Sequence, residues 1–227
     1  LVRLKSMPLA WRLVQSVGLS SHGVLATRDS DLCIEGFESS ANSYVLNVVR
    51  HLSPELNIAH HCHAAANVKL ALRYNVPTFI LFRDPKDAIP SLATRFRPSL
   101  YEGAIAYSSF YETVYERADD LILVSFEEVT QCLGRTVWKL RQIPGIDIVE
   151  FESLEAVDRA VKEHIMQWQK ENKEPYTTPL PTEEREARKN ALKQEVLRIK
   201  EFEAAQSAYE KVCKRYEAQE RKLGRAE

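Results

Sequence analysis

The sequence predicts a three-layer α/β fold, in which a parallel sheet is flanked by helices and a long helical extension follows at the C-terminus. Three observations predict it. From Asp31 onward, short apolar, β-branched runs alternate with longer segments of helical period. One of those runs, Phe79-Ile80-Leu81-Phe82, is apolar at every position, as a strand covered on both faces must be. A proline-rich stretch then separates this alternation from a charged segment carrying a single apolar stripe.

The elements follow in order. Residues 1–17 carry Arg3, Lys5 and Arg12 among apolar positions and read as a surface helix interrupted by Pro8. Strands are expected at 32–37, 56–61, 78–82, 121–126 and 146–151. Helices are expected at 42–52, 64–74, 85–95, 100–117, 127–141 and 154–170, where apolar residues recur every three or four positions. Asp84 followed by Pro85 is a strong helix start, because aspartate caps the first turn and proline forfeits only an N–H that would be unpaired anyway. Pro90 lies inside that helix and is expected to break its bond to the Lys86 carbonyl and so either to displace Ser91 or to kink that turn. Pro175, Pro179 and Pro181 mark 171–182 as an extended linker. Thr182 is a plausible N-cap for one helix over 183–227, with Glu183 and Glu184 in its first turn. Its stripe, Leu192, Val196, Ile199, Phe202, Tyr209, Val212 and Tyr216, carries Gln206 in the middle and is expected to pack on the chain's own domain, with self-association as the rival. The organisation is therefore an α/β domain at 1–170, a linker, and a helical tail.

Composition narrows the function. The chain has 227 residues with 31 Lys+Arg against 32 Asp+Glu, so binding driven by a globally basic surface is excluded and no nucleic-acid partner is expected. No run approaches the ~18 apolar residues of a membrane-spanning helix. The four cysteines are scattered with no C-x-x-C pair, so neither a disulfide framework nor a thiolate zinc site is expected, and a reducing, cytoplasmic setting fits.

Two segments carry chemistry. In Cys33-Ile34-Glu35-Gly36-Phe37-Glu38-Ser39-Ser40-Ala41-Asn42-Ser43-Tyr44 an apolar strand runs through glycine and small polar residues into a helix, an arrangement whose backbone N–H groups favour a phosphate. As a nucleotide-triphosphatase loop it is poor, because glycine and lysine would be needed where Ala41 and Asn42 stand, and a kinase or ATPase is disfavoured accordingly. The second segment, from Pro77 to Ser91, places Arg83 at a strand's carboxyl end, where a fork of donors can clamp an anion.

These residues resemble the P-loop sulfotransferases that use 3'-phosphoadenosine 5'-phosphosulfate (PAPS). The family signature R-[DN]-P-x-D-x-x-x-S is matched by Arg83, Asp84, Pro85, Asp87 and Ser91, and G-[FY]-P-[RK]-S-[GA]-[NT]-[ST] is matched in part by Gly36, Phe37, Ser40, Ala41, Asn42 and Ser43. Ala59-His60-His61-Cys62-His63 is similar to an A-H-H-x-H run of bacterial members, and the segment from Val124 to Thr130 is similar to the family's [YF]-E-[DE]-[LV] segment. The resemblance spans roughly residues 31–130. It implies a P-loop-type sheet, with PAPS as cofactor: Ser39, Ser40, Ala41, Asn42 and Ser43 would hold the 5'-phosphosulfate, and Arg83 and Ser91 the 3'-phosphate. It also implies transfer of a sulfuryl group to a carbohydrate or small-molecule hydroxyl. Two positions depart from the family: Glu38 and Ser39 stand where it has proline and a basic residue, which removes a cation from the place where transition-state charge develops. The alternative is a catalytically impaired relative that binds nucleotide or acts through its long helix. Lys69, Arg95 and Arg97 are the candidate replacement cations.

Transfer to a hydroxyl needs a base, and a histidine suits it near neutral pH. The resemblance points to His63, twenty residues before Arg83, with His61 second. On an extended strand His61 and His63 would share one side, with His60 and Cys62 on the other. No acidic or histidine partner stands at metal-ligand spacing, so no metal is expected.

Overall fold

The structure is a computed structural model and describes residues 4–9, 23–96, 98–172 and 183–224. The expected linker at 171–182, the Thr182 cap, Arg97 and most of the 1–17 helix lie largely or wholly outside these residues; within the last of these, Leu4–Ser6 forms a single 3₁₀ turn. The strands are β1 (Leu32–Gly36), β2 (Ile58–His60), β3 (Thr78–Phe82) and β4 (Ile122–Ser125), all parallel in the order β2-β1-β3-β4. The helices are α1 (Asn42–Leu52), α2 (Ala65–Arg73), α3 (Pro85–Phe96), α4 (Leu100–Glu116), α5 (Phe126–Gln131), α6 (Leu133–Arg141), α7 (Leu154–Asn172), α8 (Glu183–Val196) and α9 (Glu201–Leu223).

Alternation along the strands builds the three layers. Ile80, Phe82 and Leu123 face one side and pack with Ile89 of α3, Tyr107, Phe110 and Tyr111 of α4 and Phe202, Ala205, Ala208 and Val212 of α9. Leu32, Ile34, Phe79, Leu81 and Val124 face the other and pack with Val45, Leu46 and Val49 of α1 and Leu140 of α6. Val157, Val161 and Ile165 of α7 cover Val48 and Leu52 from outside. The Ser99 hydroxyl accepts from the Glu102 N–H while the Glu102 carboxylate accepts from the Ser99 N–H, a reciprocal cap that fixes where α4 starts.

Several expectations are corrected. There is no fifth strand at 146–151: this segment runs beside the end of α1, where the Val149 N–H donates to the Leu52 carbonyl at 2.8 Å and the Ser53 hydroxyl to the Asp147 carbonyl at 2.6 Å. A helix end offers it no ladder to extend. The single helix expected at 127–141 breaks at Cys132, whose backbone (φ −136°, ψ 48°) leaves the helical region. The C-terminal helix likewise divides into α8 and α9. A straight helix over 183–223 would run about 60 Å at 1.5 Å per residue, well beyond one face of the domain; the break lets α8 lie on α3 and α9 lie on α4. The helix expected at 85–95 is present as α3, which runs through Pro90 to Phe96 with Pro90 buried.

Candidate functional site

The site lies where β1 and β3 end. Gly36 is paired with Leu81 across the sheet, and a Cβ at Gly36 would run into the Leu81 carbonyl oxygen and the Asn42 side chain, so only glycine fits. Beyond it the chain turns into α1 through Ser39 (φ 67°) and Ala41 (φ 69°), both left-handed. Ala41 caps α1 without any side-chain hydrogen bond, so the first N–H groups of the helix stay directed at the turn. This alternation of backbone hand ahead of an uncapped helix makes a concave nest for an anion. Tyr111 supports the turn from below, its hydroxyl donating to Leu81 O at 2.7 Å and accepting from Phe37 N at 3.3 Å. The Asn42 amide donates to Phe37 O at 2.9 Å.

Arg83 extends from β3 onto this turn. Its Nη1 donates to Ser39 O at 2.9 Å, and its guanidinium lies 3.8 Å from the centre of the Phe126 ring. Burial draws its pKa down, while Asp87, Glu186, Glu127 and Asp84 oppose the shift. Tyr107 donates to Arg83 O at 2.6 Å and so fixes the end of the strand. Ser91 sits two turns along α3 and is buried. α8 lies over this end of the site: Lys193 pairs with Asp87 at 2.5 Å, and Lys189 pairs with Glu186.

The histidines do not alternate. His61 (φ 56°) and His63 (φ 46°) are left-handed, so the strand stops at His60 and the three rings stand side by side. Ring centroids are 5.0 Å apart for His60 and His61 and 5.5 Å for His61 and His63. Glu35 imposes the turn. Its buried carboxylate accepts from Cys62 N and from His63 N, both at 2.9 Å, and from the Asn67 amide at 2.8 Å. Burial raises the Glu35 pKa, against the pull of His63 and these donors. The sequence reading missed Glu35; the available signal was an acidic residue inside an otherwise apolar strand.

The two base candidates differ in what their nitrogens touch. His61 is engaged on both sides, with Nδ1 2.9 Å from His60 Nδ1 and Nε2 2.9 Å from Ser43 Oγ. His63 donates from Nδ1 to Gly36 O at 2.8 Å, which leaves the Nε2 lone pair directed away from the backbone. His63 also lines a small pocket with Phe37, Glu38, Phe110 and Lys5.

Electrostatics separate the histidines further. Burial, helped by Arg50, pushes His60 from 6.5 to about 4; burial, with His63, pushes His61 from 6.5 to about 3. The unfolded chain therefore binds more protons below about 6.5, and stability present above that pH is lost as the pH falls through 6.5 toward 4 and 3. Urea midpoints between pH 7 and 4 check this. The wild-type midpoint should fall more steeply with acid than that of His61→Gln, and parallel curves would refute a buried neutral His61.

Of the cations that the sequence offers as replacements, Lys69 and Arg95 lie among the described residues. Lys69 donates to Ser6 O at 3.1 Å. Arg95 interacts electrostatically with both Glu38 and His61, and burial beside Arg185 lowers it to about 10, so it stays charged. Burial works to raise the Glu38 carboxyl, but His63 and Lys5, the latter paired at 3.0 Å, hold it low.

No protein-family model matches the chain, and no curated protein matches its sequence. Among solved structures, a mouse sulfotransferase complexed with PAP is similar over 63% of this chain and 68% of that one, at 13% identity and a TM-score of 0.46. In this chain, the turn after β1, Arg83 and the three histidines converge within one end of the sheet; Ser91 lies buried on α3, and Arg97 lies outside the described residues.

Proposed function

We propose that the chain binds PAPS, or a nucleotide like it with a 3'-phosphate, at the ends of β1 and β3 and transfers its sulfuryl group to a hydroxyl of a carbohydrate or small molecule. The observation that carries this reading is the 2.9 Å bond from Arg83 to Ser39 O, which joins the two sequence segments into one anion-binding corner. The residues present fit such a nucleotide: the first N–H groups of α1 have no side-chain cap, Arg83 follows the end of β3 and bonds to the turn, and Ser91 lies on α3, the helix that comes next. PAPS brings an activated sulfuryl group that needs only positioning, charge stabilisation and a base. The turn would hold the 5' end and Arg83 with Ser91 the 3'-phosphate, while Arg95 supplies the positive charge that Ser39 cannot. His63 Nε2 would take the acceptor proton.

Calorimetric titration with adenosine 3',5'-bisphosphate tests the reading. Micromolar binding is expected, with 5'-AMP and Mg-ATP much weaker and Arg83→Ala weaker by about 10–100-fold, the value of a charge-assisted bond to a phosphate. Equal affinity for 5'-AMP would refute it. A second reading, a nucleotide-binding module without turnover, is favoured by the Lys5–Glu38 pair that sets a carboxylate beside the turn. It predicts the same titration and no sulfuryl transfer.

A further inference from the structure

Four side chains form a hydrogen-bonded row: Arg50 Nη2 lies 3.1 Å from His60 Nε2, His60 Nδ1 lies 2.9 Å from His61 Nδ1, and His61 Nε2 lies 2.9 Å from Ser43 Oγ. We propose that Arg50 fixes the tautomers of His60 and His61 and thereby makes Ser43 a hydrogen-bond donor toward the turn that opens α1. This deepens the nucleotide reading above and rests on it.

The direction of the row follows from one end. A guanidinium carries donors only, so His60 Nε2 must accept. A neutral imidazole that accepts at one nitrogen carries its proton on the other, so His60 Nδ1 donates to His61. His61 Nδ1 is then the acceptor, His61 Nε2 carries the proton, and Ser43 Oγ accepts it. The hydroxyl proton of Ser43 is thus turned away from His61. Ser43 stands in the first turn of α1, where the backbone N–H groups face outward. With the row reversed, Ser43 would spend its proton on His61 and present only lone pairs to an anion. Arg50 is therefore a positioning residue that acts through two rings, and His61, committed at both nitrogens, is not available as the base. Burial keeps both rings neutral near pH 7, as the row requires.

Two measurements on the full chain test this. In ¹⁵N–¹H correlation spectra of the imidazoles, His60 should appear as the Nδ1–H form, the less common one in water, and His61 as Nε2–H. Arg50→Ala should return His60 to Nε2–H, and Arg50→Lys, which also only donates, should keep Nδ1–H. Arg50 is exposed and Ser43 half-buried, so these variants should fold. In titrations with adenosine 3',5'-bisphosphate, Ser43→Ala should weaken binding by about tenfold, the value of a bond to a charged group. Arg50→Ala should weaken it in the wild-type background and have no further effect on top of Ser43→Ala. A wild-type His60 in the Nε2–H form, or an Nδ1–H form that survives Arg50→Ala, overturns the proposal. So does an Arg50→Ala effect that is undiminished in the Ser43→Ala background, since that would be charge acting at a distance. If the wild type binds no bisphosphate while the tautomers behave as expected, the nucleotide reading falls and the row stands.

Discussion

On the proposed function, His63→Ala is expected to lower sulfuryl transfer by about 10²–10⁴-fold, the range for loss of a positioned general base, while the affinity for adenosine 3',5'-bisphosphate stays near the wild-type value. The split follows from geometry. The His63 ring is held by its Nδ1 bond to Gly36 O and faces the pocket bounded by Phe37 and Phe110, whereas the nucleotide is assigned to the turn and to Arg83. Bisphosphate released from PAPS with a panel of phenol and sugar acceptors reads the first quantity, and calorimetry the second. His61→Ala should affect binding through Ser43 more than the proton transfer. If His61→Ala abolished turnover at unchanged affinity and His63→Ala did not, the roles of the two rings would have to be exchanged.

Lys139→Met is expected to cost about 3–5 kcal/mol of stability, because it removes one partner of a buried charge pair and strands the other. Lys139 Nζ lies 2.6 Å from Glu128 Oε2, 2.9 Å from Glu220 Oε1 and 2.9 Å from Leu123 O, with the Lys139 and Glu128 side chains only 3% and 2% exposed. Tyr216 and Thr136 donate to the same Glu128 carboxylate, and Arg135 pairs with Glu220. Their remaining donors cannot cancel a whole buried charge. Urea unfolding measures the loss, and adding Glu128→Leu should restore most of it by removing the stranded carboxylate. A loss under about 1 kcal/mol would put this pair with exposed ion pairs, which contribute little.

The fold was largely legible because its strands and helices are written as periodicities. The run at 79–82 and the Asp84-Pro85 start place β3 and α3 to within a residue. The segment at 146–151 failed because its apolar residues serve the rim of the core, where no strand edge is open to it. The C-terminal break failed for another reason: nothing in Leu197 to Lys200 forbids a helix, and the division is imposed by the two surfaces the stripe covers. In the site, Arg83 and the Gly36 turn were readable from spacing. The histidine arrangement was not, since side-chain alternation assumes extended backbone, and it is Glu35, one strand away, that bends residues 61–63 out of it. Arg50 was equally hidden, being an ordinary helix arginine until the fold brings His60 beside it.

One further consequence concerns β4, the strand at the end of the sheet. Its outward N–H at Leu123 is met by Gln219 Oε1 at 3.2 Å, and the Gln219 amide donates in turn to Ala118 O and Leu121 O, both at 2.8 Å. The residue that shields this edge is thus made 96 positions after the residue it shields. At about 5–20 residues per second of translation, roughly 5–20 s pass in which the ribosome carries a strand whose free side can pair with another chain. Helix α9 acts as a delayed chaperone for the sheet, and a message truncated ahead of Gln219 would yield a product that collects in aggregates even though all four described strands are present.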